Sequence, residues 1–161
     1  MDSVRVGHGY DVHRFGGDPP LMLGGVVVSD QRGVLGTSDA DVALHALIDA
    51  LLGAAAIGDI GDLFPSIDAT WEGAASLDML RLVSDRVSTA GYRVGNVDIT
   101  IICEEVRIAP HRDAMRTVIS EVLSVGVGAV SVKATTTDGL GFIGLDEGLA
   151  AHALAVLYSD V

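Results

Sequence analysis

A single cysteine, Cys103, excludes a disulfide framework and any cysteine-built zinc site within one chain. Its expected place is that of a small buried filler in a reducing compartment. Basic residues are scarce too: ten Lys and Arg stand against twenty-two Asp and Glu, a net charge of −12. That balance opposes the electrostatic attraction on which nucleic-acid binding depends, so nucleic acid is not an expected partner. A small anionic substrate stays possible if metal ions, backbone amides and hydroxyls offset the charge. Long apolar runs are missing as well. The longest, Val42 to Gly58, is broken by His45 and Asp49, which leaves it too short and too polar to span a membrane. Met1 to Val6 shows no charged stretch leading into an apolar core and a cleavage site, so export is not expected and the cytoplasm is the predicted location.

What is present is apolar for a soluble domain. Of 161 residues, 49% are hydrophobic and 20% charged, and the mean hydropathy is +0.45. One domain over 1–161 is expected, burying roughly two thirds of its unfolded surface, with some apolar surface left for copies of itself. Val4 to Phe15 alternates as a strand, and Leu21 to Val28 reads as its hairpin partner after Gly16-Gly17-Asp18-Pro19-Pro20. Ser38 and Asp39 open a helix through Ala56, with Ser38 and Asp41 spaced as a capping box. A turn-rich loop from Gly58 to Pro65 follows. Further helices are predicted over 74–90, 110–123 and 146–158, and strands over 93–104 and 129–137. The fold class is therefore α/β, an α+β sandwich with a mixed β-sheet and helices on one face.

Asp11 and His13 are two apart on a predicted strand and leave the same face of its sheet. On the following helix Asp41, His45 and Asp49 fall at i, i+4 and i+8, a polar stripe that is costly to bury without a partner. A divalent cation resolves both: Asp11, His13 and His45 make a three-ligand set with a fourth position for substrate, and Asp49 and Asp41 would orient the ligands from behind. The plain alternative is a hydrogen-bonded core histidine beside a surface ion pair. After the strand at 129–137, Lys133-Ala134-Thr135-Thr136-Thr137-Asp138-Gly139 offers hydroxyls, amides and one carboxylate for phosphate oxygens and a hard cation, although sheet propensity followed by a glycine turn explains it equally simply. His8, His111 and His152 have no spacing argument and are read as structural. Gly7-His8-Gly9 precedes no helix, which excludes a dinucleotide fingerprint. Ser38 reads as a helix cap and not as a nucleophile.

Gly7 to His13, Ser38 to Leu47, Gly58-Asp59-Ile60-Gly61, Leu63-Phe64-Pro65 and Lys133 to Thr137 resemble the 2-C-methyl-D-erythritol 2,4-cyclodiphosphate synthase family from about Val4 to Tyr158. The resemblance implies a homotrimer of α/β subunits whose sheets face a central axis and whose active sites are shared between neighbours. It implies closure of 4-diphosphocytidyl-2-C-methyl-D-erythritol 2-phosphate to the cyclic diphosphate with release of CMP, a non-mevalonate isoprenoid step. Carried over by position, Asp11, His13 and His45 would bind Zn²⁺, and Asp138 would bind Mg²⁺ or Mn²⁺ among the substrate phosphates. Thr136, with Thr37 and Ser38, would act on those phosphates. Asp59, Ile60 and Gly61 would meet the methylerythritol hydroxyls, with Phe64, Pro65, Ser66 and Asp68 in a flexible loop beside them. Cys103, Arg107, Ile108 and Ala109, together with Ala134 and Thr135, would form the cytidine pocket, and Thr137 and Phe142 would complete the substrate contacts.

Five positions depart from the family pattern. Thr37 stands where a histidine is usual, Ser66 where an aspartate is usual, and Arg107 where a lysine is usual. Leu145-Asp146 replaces an arginine-glycine pair whose arginine, where Leu145 stands, holds a prenyl diphosphate at the axis of many members. The competing expectation, motivated by Thr37 and Ser66, is a low-activity homologue that binds metal and nucleotide in a regulatory role. A zinc phosphohydrolase acting on nucleotides is a third.

Overall fold

The computed structural model describes residues 3–159; Met1 and Asp2, read above for a leader, and the last two residues of the expected domain lie outside it. Strand β1 (Val4–Arg14) pairs antiparallel with β6 (Gly148–Ser159), β6 pairs antiparallel with β4 (Tyr92–Ile102), and β4 pairs parallel with β5 (Val130–Thr135). The order β1-β6-β4-β5 makes the sheet mixed, as expected. Three helices, α1 (Val42–Ala55), α3 (Ser76–Thr89) and α4 (Arg112–Leu123), pack on the sheet and on one another.

Helix α1 sits at the centre. Eleven of its fourteen residues are buried, because it is covered by β1, β6 and β4 on one side and by α3 on another. It approaches β1 closely because Gly7 and Gly9 have no side chain there: a Cβ on Gly9 would stand 1.8 Å from the Ala46 carbonyl oxygen, and one on Gly7 1.9 Å from that of Ala50. On β6 the residues facing the helices include Ala151, Ala153 and Ala155, all buried, while His152 and Leu154 between them are exposed.

That alternation overturns the helix expected over 146–158. Alanine and leucine favour a helix in isolation, yet this segment is the inner strand of the sheet, where small side chains leave room for α1. His152 thus lies on a strand. The stretch Leu21 to Val28 does not pair with β1 either. It forms its own hairpin, β2 (Leu21–Leu23) with β3 (Val26–Ser29), turned through Gly24 and Gly25 at positive φ. The loop 58–65 contains one helical turn, α2 (Ile60–Leu63), capped by Asp59. Helix α1 begins later than Ser38: its N-cap is Asp41, whose carboxylate accepts from the Leu44 amide. A last turn, α5 (Gly141–Gly144), leads into β6. Among the described residues no helix is long and apolar enough to cross a membrane.

Candidate metal centre

Asp11 and His13 leave β1 on the α1 side, and His45 comes down from the first turn of α1. Asp11 Oδ2 lies 3.0 Å from His13 Nε2 and 3.1 Å from His45 Nδ1, and the two ring nitrogens are 3.3 Å apart. Ligands about 2.0–2.1 Å from a tetrahedral ion stand ~3.3 Å from one another, so this triangle has the size of an ion's coordination face. The donor set also fits. His13 Nδ1 donates to the Leu35 carbonyl at 2.9 Å, which leaves Nε2 for the centre. Three electron-pair donors then point at one spot, a mutually repulsive arrangement that a proton or a cation relieves. Asp11, His13 and His45 are the one such group of three among the described residues.

The electrostatics agree. Burial pushes the Asp11 carboxyl up, but hydrogen bonds from His13 and His45 outweigh it and hold the group down at about 2. Burial pushes His13 down, and Asp11, with the Leu35 carbonyl, more than restores it, so the imidazole sits above its ordinary range.

The rest of the polar stripe does not serve the triad. Asp41 is fully buried and accepts the amides of Gly24 and Gly25 at 2.9 and 2.8 Å, tying the β2–β3 hairpin to the start of α1. Its carboxyl is raised by that burial. Asp49 accepts from the Ile60 amide at 2.8 Å and so anchors α2. The groups behind His45 are instead Ser38 and Ser76, with Oγ atoms 3.1 and 2.9 Å from Nε2. Ser38 also accepts from the Ala40 amide. Nothing in sequence spacing marked Ser76, thirty-one residues from His45.

A cavity of about 240 Å³ opens beside the triad, lined by His13, Thr37, Ser38, His45, Ile60, Gly61, Phe64 and Ser66, as expected, and by Trp71 and Met79, which were not. Trp71 meets Phe64 edge to face with ring centres 4.7 Å apart, bracing the loop between α2 and α3. Asp59 lies at the mouth of α2, where its carboxylate is bonded to the Asp62 amide. Pro65 is half-buried in the same loop. Asp68 caps the turn at 69–71 and lines an adjoining cleft with Thr37 and Ser66. Phe142 lines a separate recess with Val12, His13 and Glu147.

A second cavity of about 230 Å³ gathers Cys103, Arg107, Ile108, Ala109, Ala134, Thr135 and Thr136. It shares no lining residue with the first. Cys103 contributes a wall, not a reactive thiol: burial pushes it up to about 11, and Sγ donates to the Val106 carbonyl. Thr137 is committed to Glu104, to which its amide donates at 2.7 Å. Asp138 is exposed at the turn, at φ 56°, with its amide donating to Thr136 Oγ1.

A sequence profile of the YgbB family matches residues 4–158, nearly the whole chain. The chain belongs to the YgbB family. It is similar to 2-C-methyl-D-erythritol 2,4-cyclodiphosphate synthase from Erwinia tasmaniensis, with 53% identity over 154 residues that cover 96% of this chain and 98% of that protein. Among solved structures it superposes on the bifunctional IspDF from Campylobacter jejuni with a TM-score of 0.96 at 38% identity, covering 99% of this chain but 43% of that one. IspF from Plasmodium falciparum, solved as a CDP complex, superposes with a TM-score of 0.86 at 32% identity and covers 99–100% of both chains. The family resemblance read from the motifs is thereby met.

Within this YgbB-family chain Asp146 has a structural account, and Arg107 lines the second cavity. Asp146 takes φ 56°, a left-handed conformation in which glycine is usual and aspartate is tolerated. Arg32 fixes it through two bonds of 2.8 and 3.3 Å while lying over the Phe15 ring at 3.8 Å. Leu145 beside it is exposed. Thr37 and Ser66 both face the first cavity, so neither substitution blocks it.

Proposed function

We propose that this chain is a 2-C-methyl-D-erythritol 2,4-cyclodiphosphate synthase, which closes 4-diphosphocytidyl-2-C-methyl-D-erythritol 2-phosphate into the cyclic diphosphate and releases CMP in non-mevalonate isoprenoid biosynthesis. The observation that carries this reading is the convergence of Asp11, His13 and His45 at ion-sized separations beside a cavity to which Thr37, Ser38 and Ser66 contribute hydroxyls. Its imidazole and carboxylate donors suit zinc, and a divalent ion there supplies positive charge against which phosphate oxygens are held. Asp138, an exposed carboxylate two residues beyond Thr136, suits Mg²⁺ or Mn²⁺ arriving with the substrate phosphates.

The reaction needs no nucleophile from the protein. An oxygen of the substrate's 2-phosphate attacks the β-phosphorus, the bond from that phosphorus to the bridging oxygen breaks, and CMP leaves with that oxygen. The chain's work is alignment and charge neutralisation. Thr37, Ser38 and Thr136 donate to phosphate oxygens. Asp59, Ile60 and Gly61 orient the methylerythritol end, with Phe64, Pro65, Ser66 and Asp68 closing over it and Phe142 at the edge. Cys103, Arg107, Ile108, Ala109, Ala134, Thr135 and Thr137 surround the cytidine end.

Because the two cavities are separate within one chain, we take the working site to join the first cavity of one subunit to the second of its neighbour in a homotrimer. The sheet face turned away from the helices supports this, since Val4, Val6, Tyr10, Val12 and Leu154 are exposed along β1 and β6. The chain acts as one domain over 1–161, in the cytoplasm. Incubation of the purified protein with the cytidine diphosphate substrate, Zn²⁺ and Mg²⁺ is expected to yield CMP and the cyclic diphosphate. Linear methylerythritol diphosphate would mean hydrolysis, and no turnover would leave a metal- and nucleotide-binding regulatory role.

A further inference from the structure

His45 faces the ion site through Nδ1, and its other nitrogen faces away into a set of groups that ion binding by itself does not explain. Ser76, the first residue of α3, is fully buried, and its Oγ lies 2.9 Å from His45 Nε2. The Ser76 hydroxyl donates to the Asp39 carboxylate. Asp39 is itself held by two amides, those of Asp41 at 3.2 Å and of Ser76 at 3.0 Å. An ionised carboxylate only accepts, and a hydroxyl has one hydrogen to give. With that hydrogen committed to Asp39, Ser76 Oγ presents only lone pairs to the imidazole. A bare Nε2 facing it at this distance is repulsive, whereas an Nε2–H is satisfied.

We infer that Asp39 and Ser76 are positioning residues for the ion site: a relay in which His45 Nε2–H donates to the Ser76 hydroxyl, which donates to the Asp39 carboxylate, fixes the tautomer and ring orientation that present a bare Nδ1 to a divalent cation. The inference rests on the reading of Asp11, His13 and His45 as an ion site. Ser38 Oγ, at 3.1 Å, is a weaker second acceptor for the same N–H. His13 is oriented in the same manner by the Leu35 carbonyl, so both imidazoles are held through their far nitrogens, as metal-bound histidines generally are. Ser76 follows directly on the loop that walls the first cavity, and the Asp39 amide donates to Ala74 at its end. The relay therefore spans from that loop to the ion.

The test is Zn²⁺ affinity, measured by chelator competition without substrate. Ser76→Ala is expected to weaken binding about 10- to 100-fold, the usual effect of losing such a partner, and Ser76→Thr, which keeps the hydroxyl, to recover most of it. Wild-type affinity in a folded Ser76→Ala protein overturns the relay, and so does a Ser76→Thr protein as weak as Ser76→Ala. The zinc-loaded wild type gives a test free of any folding defect: nitrogen-15 spectra of its histidines should show a slowly exchanging proton on His45 Nε2. Zinc on Nε2, or an Nε2 proton in rapid exchange, overturns the proposal. A wild type that binds no zinc defeats the ion site and the relay together, whereas normal wild-type binding with an indifferent Ser76 defeats the relay alone.

Discussion

Replacing Gly9 by alanine tests whether the approach of α1 to β1 builds the ion site. The new methyl would lie 1.8 Å from the Ala46 carbonyl oxygen and 2.9 Å from the Ala50 amide nitrogen, where ordinary contact begins near 3.4 Å. Those neighbours are helix backbone and cannot rotate away, so α1 must retreat by roughly 1.5 Å at an overpacking cost of about 1–3 kcal/mol. Ala46 adjoins His45, which moves with it, whereas ion-to-ligand distances tolerate only about ±0.2 Å. Losing that imidazole should weaken Zn²⁺ binding at least ~100-fold, about 2.7 kcal/mol. Gly7→Ala is the control: its methyl meets Ala50 and Ala54, about one and a half to two and a half turns beyond His45. It should destabilise similarly while weakening Zn²⁺ less. Urea unfolding in chelator and Zn²⁺ competition measure the two effects separately. A Gly9→Ala protein with wild-type unfolding and wild-type affinity would refute the account of why those glycines are there.

Asp41→Ala removes the α1 cap, worth about 0.5–2 kcal/mol, and strands the Gly24 and Gly25 amides at about 1–3 kcal/mol each, so urea unfolding should show a loss of at least ~2.5 kcal/mol. A change below ~1 kcal/mol would show the hairpin to be tied down otherwise. Thr37→His places an imidazole donor in the first cavity, and such a donor lowers a phosphate-transfer barrier by as much as about 2–4 kcal/mol. An unchanged turnover in a folded variant would mean that the role is already filled. In metal-free protein, Asp11 is held down at about 2, so its stabilisation is present above its unfolded value and lost as pH falls towards 2. His13 is raised, so its contribution is present below its unfolded value and lost as pH rises past it. Chelated protein should therefore gain stability from this pair between about pH 4 and 6.5, and His13→Gln should flatten that part of the profile in urea titrations. A profile unaltered by His13→Gln would refute the coupling.

What was legible in the sequence follows from which interactions are local. The two-residue step from Asp11 to His13 and the four-residue steps of the stripe are fixed by backbone geometry; β1 formed where the pattern put it, and α1 did so from Val42 onward. Their meeting at one point was read correctly from the cost of leaving His45 unpartnered. The ends of the stripe were misread because a helix rotates 400° over four residues, not 360°, and because Asp41 and Asp49 find nearer partners in the β2–β3 hairpin and α2. The β6 error has the opposite origin. Ala151, Ala153 and Ala155 are small because α1 lies over them, a tertiary demand that local propensity mistakes for helix formation. The alternation of His152, Leu154 and Val156 with those alanines was the overlooked signal. Ser76 and Asp39 had no signal, since the loop that brings them to His45 is irregular.

The proposed sharing of the catalytic unit between two chains is motivated by the separation of the two cavities. His13 and His45 of the triad and the Thr135–Thr136 segment before Asp138 line different cavities, so on the proposed shared-site reading a substrate carrying phosphates at one end and a nucleoside at the other bridges chains. In a ring of identical subunits joined head to tail, each site then takes its triad from one subunit and Asp138 from the next. Two variants defective on opposite sides should complement. His13→Ala lacks an ion ligand, Asp138→Ala lacks the carboxylate of the turn that follows Thr136 of the second cavity, and each alone should be nearly inactive. Unfolded together and refolded as random mixed rings, they should regain roughly a quarter of wild-type activity, because a site works only when an Asp138→Ala subunit supplies the triad and a His13→Ala subunit supplies Asp138. The readout is CMP release before and after mixing, with each variant refolded alone as its own control. A mixture as inactive as its components, in rings shown to have exchanged subunits, would mean that a single chain closes the site and that the exposed face of β1 and β6 is covered for some other reason.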